Sequence, residues 1–231
     1  MTGGMEMKKI AIAVDGPAGS GKSTVAKVVA KKLGILYVDT GAMYRGVAYA
    51  CIQKGVDCSE EGTVLAVLEN LELELQPTEA GQRVFLDGKD ITEEIRSQEI
   101  GRGASQVAVI HGVREKLAEM QRKMAEKAAV VMDGRDIGTC VLPQAEVKIY
   151  MDAGVEERAK RRMQELEAKG ECPSFAEVEA EIKQRDENDM NRKHSPLRKA
   201  AEAVCLDTTK LSIEEAVEKI LDIVREKIGE V

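Results

Sequence analysis

Residues 16–24 read GPAGSGKST, which fits the phosphate-loop pattern G-x-x-x-x-G-K-[ST] at Gly16, Gly21, Lys22 and Ser23. The apolar run Ile10-Ala11-Ile12-Ala13-Val14 before it predicts a buried strand, and the residues from Ser23 to Leu33 after it carry apolar side chains at helical spacing. A glycine-rich turn with a chance lysine would need neither neighbour. Strand, glycine-rich loop and helix together predict an anion nest, in which backbone N–H groups and a helix N-terminus face a phosphate chain. The whole loop, Gly16, Pro17, Ala18, Gly19, Ser20, Gly21, Lys22, Ser23 and Thr24, is the expected nucleotide site. Lys22 is expected to reach the terminal phosphates, and the Ser23 hydroxyl to take one position on Mg²⁺.

Downstream, Gly34 ends the helix and Ile35-Leu36-Tyr37-Val38 predicts a second strand, so the opening is a parallel βαβ unit and the chain an α/β protein. Thr40 and Arg45 follow that strand, at the rim where open α/β sheets bind ligands. Beside a phosphate loop they suit a second substrate's phosphate; alone they also suit an N-cap threonine and a solvated arginine. The character changes from residue 62 to about 95. Period-two alternation in Leu71-Glu72-Leu73-Glu74-Leu75, a turn over residues 77–82 and the run Arg83-Val84-Phe85-Leu86 predict a small antiparallel insert.

A helical stretch over residues 100–127, broken near His111-Gly112, leads to the buried strand Ala128-Ala129-Val130-Val131-Met132-Asp133. His111 is given no chemistry. Asp133 is expected to position metal or water, and Arg135 and Asp136 to contact substrate, although an Asp-Gly turn would read the same way. Residues 146–152 predict another strand. Two charged helices come next, one with Arg158, Arg161 and Arg162 on a face, the other with Arg185, Asp189 and Arg192 on a face. Their Gly/Pro-containing linker makes them a candidate lid over phosphates, with solvated charge as the plain alternative. A strand over residues 203–207 and a capped helix from Ser212 to Ile228 close the pattern.

With 231 residues, 43% hydrophobic and 32% charged, and a net charge of −7, the composition fits a soluble protein that does not attract nucleic acid or anionic membrane. Five cysteines without C-x-x-C spacing and only two histidines predict reduced structural thiols rather than a metal site. Residues 1–7 read as a flexible leader. No secretory signal or membrane span is expected, and the expected location is the cytoplasm.

The blocks GPAGSGKST (16–24), YVDTGAMYRG (37–46), ASQVA (104–108), DGRDIGT (133–139) and IKQRDENDMNR (182–192), in this order, resemble the bacterial-type cytidylate kinases from about residue 8 to the end. The resemblance implies a nucleoside-monophosphate-kinase fold. Its five-stranded parallel sheet is flanked by helices in a single domain over residues 8–231, with a β-rich nucleotide-binding insert at 62–100 and an arginine-bearing helical lid at about 158–190. It also implies transfer of the γ-phosphoryl group of ATP, with Mg²⁺, to CMP or dCMP, by a monomer. Residue by residue, Thr40 and Arg45 match positions on the CMP side, and Ser105 and Asp136 match residues that read the cytosine edge. Arg114 matches a further base or substrate contact, Arg135 and Arg185 phosphate ligands, Asp189 with Arg192 the sugar site, and Arg158 and Arg162 the lid arginines. Lys22, Arg135, Arg158, Arg162 and Arg185 are thus the expected catalytic set.

A kinase for shikimate, gluconate or UMP on the same architecture is the alternative, opposed by the insert and the 133–139 block. A GTP-binding switch lacks its N-K-x-D and D-x-x-G motifs here, and a nucleic-acid translocase lacks a basic stripe.

Overall fold

The computed structural model describes residues 9–78 and 81–229; the expected leader at residues 1–7 lies outside them. The first strand, β1 (Ala11–Asp15), is buried along almost its whole length, as a central strand covered on both faces must be. Helix α1 (Lys22–Leu33) begins at Gly21 with φ 84° and stops at Gly34 with φ 66°. The Ile35 N–H then bonds back to the Ala30 carbonyl at 3.0 Å, a Schellman closure that only a left-handed residue makes easily. Strand β2 (Leu36–Asp39) leads directly into α2 (Thr40–Gln53), whose N-cap Asp39 accepts from the Ala42 N–H at 2.9 Å.

The segment expected to be β-rich from residue 62 opens instead with helix α3 (Glu61–Glu69). Val64, Val67 and Leu68, spaced as one helical face, are buried there, so a short 3.6-period run was hidden ahead of the alternating one. Strands β3 (Leu73–Thr78), β4 (Gly81–Leu86) and β5 (Lys89–Asp90) then form an antiparallel sheet. Pairing continues to Thr78 opposite Gly81, leaving a shorter turn than residues 77–82. Pro77 is tolerated because β3 is an edge strand, where a missing N–H breaks no second ladder.

Helices α4 (Gln98–Val107) and α5 (His111–Lys127) follow, then β6 (Val130–Gly134), a π-turn over Ile137–Val141 and β7 (Val147–Asp152). Helices α6 (Val155–Glu167) and α7 (Phe175–Asn191) pack around Ala159, Leu166, Val178 and Ile182, a cluster of their own. Strand β8 (Val204–Asp207) and helix α8 (Ile213–Ile228) complete the chain, the latter started by a Ser212–Glu215 capping box. The five long-range strands form one parallel sheet ordered β2-β6-β1-β7-β8.

Side chains from β1 and β7 meet α1 and α8 on one face of the sheet. Ala13, Val38, Val130 and Met132 meet the π-turn and α5 on the other. The core thereby fixes which end of the sheet is open. All carboxyl ends of the strands lie together, and the loops after β1, β2 and β6 share one rim.

Candidate active site

The phosphate loop is shaped by what lies beneath it. Gly16 has φ 153°, and a Cβ there would lie 1.9 Å from the Met151 carbonyl oxygen, so the chain can leave β1 only through a glycine. Lys22 is buried, and its Nζ donates to the Pro17 carbonyl at 2.8 Å. Burial, reinforced by the neighbouring Arg135 charge, lowers its ammonium pKa to about 7, because the Pro17 carbonyl and the nearby Asp133 replace only part of the lost water for the charged form. Ser23 Oγ donates to one Asp133 carboxylate oxygen at 2.6 Å and Tyr37 Oη to the other at 2.9 Å. Burial and the nearby Asp39 raise the Asp133 carboxyl to about 6.

Just before the loop, Asp15 is 4% exposed, and its two carboxylate oxygens accept the backbone N–H groups of Ile137 and Gly138 at 2.8 and 2.7 Å. Burial dominates those bonds and pushes its carboxyl up to about 6. A carboxyl raised above its unfolded value favours folding fully below about pH 4, and this contribution is lost as pH rises through 6. The stability of the wild-type protein relative to Asp15→Asn is therefore expected to decline across that window, by about 3 kcal/mol at most. Urea midpoints measured from pH 4 to 7 check this; a constant difference between the two proteins would refute it.

A groove of about 660 Å³ opens above the loop. Ala18, Gly19, Gly21, Lys22, Ser23 and Thr24 form its floor, and Thr40, Arg45, Ser105, Arg114, Arg135, Asp136, Arg162, Arg185, Asp189 and Arg192 its walls. Thus ten residues converge from α2, α4, α5, the turn after β6, α6, α7 and the residue that follows α7. Arg135 Nε pairs with Asp189 at 2.7 Å, and Arg192 lies 3.6 Å from both Asp189 and Asp136. Arg114 pairs with Asp136 at 2.6 Å and sits over the Tyr44 ring, 5.5 Å from its centroid. The Thr40 hydroxyl donates to the Asp133 carbonyl at 2.7 Å, and Ser105 Oγ to the Gly101 carbonyl at 3.3 Å. Arg45 donates to the Ile95 carbonyl at 3.0 Å, tying α2 to the insert.

Arg185 differs from these. Its pKa falls to about 10 through burial and the Arg135 charge, and among the described residues its Nε is buried without a hydrogen-bond partner, as are Arg114 Nε and Arg192 Nη2. Buried cationic donors with no acceptor are costly, and here they gather in one groove. Its character is that of a seat for anions.

The structure sets Arg158 apart from the other expected lid arginines. It is 3% exposed, donates to the Ala153 and Ala18 carbonyls at 2.9 and 3.0 Å, pairs with Asp186 at 2.6 Å, and lies behind the phosphate loop rather than in the groove. Gly16, Pro17 and Ser20 likewise support the loop without lining the groove. Arg162, one helical turn on, reaches the groove and pairs with Glu165 at 3.1 Å. The one-face pattern could not separate these arginines, because residues four apart share a helix face whatever each of them meets. Arg161, cited only for its place in the cluster, donates to the Ser20 carbonyl at 3.4 Å and to the Thr208 carbonyl at 2.7 Å. Tyr37, Tyr44, Asp39 and Asp15 were missed as site residues, each being a single polar residue in an apolar or helical context.

A phosphate loop at the carboxyl rim of a five-stranded parallel sheet, facing a groove walled by arginines, defines a P-loop kinase. The cytidylate kinase family model matches residues 12–226. A cytidylate kinase of Bacillus cereus (strain ATCC 10987 / NRS 248) is 54% identical over 217 residues, covering 94% of this chain and 96% of the relative. One from Geobacillus sp. (strain WCH70) is 50% identical over 220 residues, 95% and 98% of the two chains. The chain belongs to the cytidylate kinase family and is an ATP-dependent kinase. An uncharacterized protein from Eubacterium ventriosum ATCC 27560 has a similar structure, with a TM-score of 0.54 at 17% identity over 95% of this chain and 99% of that one; at that identity the likeness concerns the fold alone.

Proposed function

We propose that this groove transfers the γ-phosphoryl group of ATP to CMP or dCMP, giving ADP and CDP or dCDP. The observation that carries the assignment of sites is that Lys22 and Arg185 line the same groove, with Arg185 Nε buried and free of a hydrogen-bond partner among the described residues. A donor's terminal phosphate on Lys22 and an acceptor's phosphate on Arg185 would then share one desolvated space.

In this reading the ATP phosphates take the backbone N–H groups of the loop and Lys22, while Arg158 holds the loop from behind. Arg45, Arg135, Arg185 and the hydroxyl of Thr40 receive the CMP phosphate, and Asp189 with Arg192 the sugar. Asp136, Arg114 and Ser105 face the base. Asp136 supplies the acceptor for cytosine's exocyclic amine, and uracil would set a carbonyl oxygen against that carboxylate with no hydrogen to share. Helices α6 and α7, packed on their own small core, act as the lid that brings Arg162 over the phosphates.

The Ser23 hydroxyl and the Asp133 carboxylate, 2.6 Å apart beside Lys22, form an all-oxygen donor pair that fits Mg²⁺, which takes one or two protein ligands when phosphates supply the rest. Bound there, Mg²⁺ would neutralise phosphate charge. The chain's own part is alignment and charge. The acceptor phosphate oxygen is already ionised, so no covalent nucleophile or strong base is needed, and Lys22, Arg135, Arg162 and Arg185 meet the charge that spreads onto the transferred group.

The same reading makes the chain a cytoplasmic monomer that handles free nucleotides. A net charge of −7 supports the lack of nucleic-acid binding, and among the described residues no helix is long and apolar enough to cross a membrane. The decisive experiment is ADP release from ATP and Mg²⁺ with CMP, dCMP, UMP, AMP, GMP and shikimate offered separately. Rapid turnover is expected with CMP and dCMP only; equal turnover with UMP would remove the base-reading assignment, and turnover with shikimate alone would replace the acceptor.

A further inference from the structure

We propose that Asp15 is a positioning residue for the acceptor: it holds the turn after β6 in the register that aims Arg135 and Asp136 into the groove, and so ties acceptor recognition to the base of the phosphate loop. The inference rests on the acceptor reading given above for Arg135 and Asp136.

The geometry is specific. Asp15 is the last residue of β1 and pairs in register with Gly134, the last residue of β6. Between Gly134 and the π-turn the chain has only Arg135 and Asp136, and the Asp136 backbone, at φ −144° and ψ 24°, belongs to no regular element. Such a two-residue span has no ladder to fix it. What fixes it is an anchor on either side: strand pairing at Gly134, and the two Asp15 oxygens on the N–H groups of Ile137 and Gly138. The Asp136 carbonyl accepts from the Cys140 and Val141 N–H groups at 2.8 and 3.1 Å, which carries the anchor back to Asp136 itself. A carboxylate suits this place because both oxygens only accept; an asparagine would turn a donor toward one of the two N–H groups. Hydrogen bonds to an ionised acceptor are also shorter and stronger than neutral ones. The adjoining Gly16 begins the phosphate loop, so one strand end serves both subsites.

Asp15→Asn, close in volume, tests this. The expected result is a rise of about tenfold in KM for CMP, with KM for ATP changed less than twofold and a falling preference for CMP over UMP. Combined with Asp136→Asn, its effect on that preference should be less than additive, since one residue acts through the other. Equal rises in both KM values would reduce Asp15 to a support of the phosphate loop and overturn the proposal, as would an unchanged KM for CMP or full additivity. If Asp15→Asn does not fold, amide exchange in the wild-type protein decides. The Ile137 and Gly138 amides should be protected and slow further with CMP but not with ATP, and exchange at open-loop rates would overturn the proposal. Failure of the functional reading shows separately, as absence of CMP turnover in the wild-type enzyme.

Discussion

Replacing Lys22 by methionine is expected to lower kcat about a thousandfold, the scale seen when one preorganised charge is removed from a developing anion. Among the described residues the buried ammonium donates to the Pro17 carbonyl, a local contact that a terminal phosphate can replace. Methionine keeps the hydrophobic stem and most of the volume, so the loop should persist. Its stability should change little or rise, because the lysine is buried where burial disfavours its charge. Single-turnover phosphoryl transfer with CMP, measured together with ATP affinity, separates chemistry from binding. A loss below tenfold in the transfer step would remove Lys22 from the transferred group and leave its stabilisation to the arginines and Mg²⁺.

Asp136→Ala should depress kcat/KM for CMP by at least a hundredfold more than for UMP, because a site built to accept from an amine loses its reason to prefer one. It should also destabilise the protein by about 3 kcal/mol, since it leaves the Arg114 guanidinium buried without the carboxylate now 2.6 Å away. The two effects have different readouts. Turnover on CMP, dCMP and UMP gives the first and thermal unfolding the second, and Asp136→Asn, which keeps volume and one acceptor, separates them if the alanine variant unfolds. Equal losses on CMP and UMP would end the base-reading role of Asp136.

Much of the architecture was legible because local chemistry agreed with tertiary need. Ala11–Asp15 and Val130–Gly134 are mostly apolar for being buried on both faces, so short runs sufficed to find them, and Val147–Asp152 shows through the alternation of its buried Val147, Ile149 and Met151. Helix α3 was not found, since its nine residues hold only one clear helical repeat beside a longer alternating pattern. The groove residues were named by motif and do converge. Arg158 was grouped with Arg162 because spacing places both on one side of α6, yet Arg158 donates to the Ala18 carbonyl of the phosphate loop while Arg162 lines the groove. Asp15 could not have been singled out, as its partners are backbone amides more than a hundred residues away.

By itself, then, the sequence determined the phosphate loop and the parallel sheet that presents it, because each is dictated by local geometry: glycines at a strand end, apolar runs and helical spacing. Only the tertiary structure decided which charges pair, which lie buried without partners and which brace the loop from behind. Those outcomes depend on distances between β1, β6, α6 and α7, which chain order leaves open and the packing of the shared core closes.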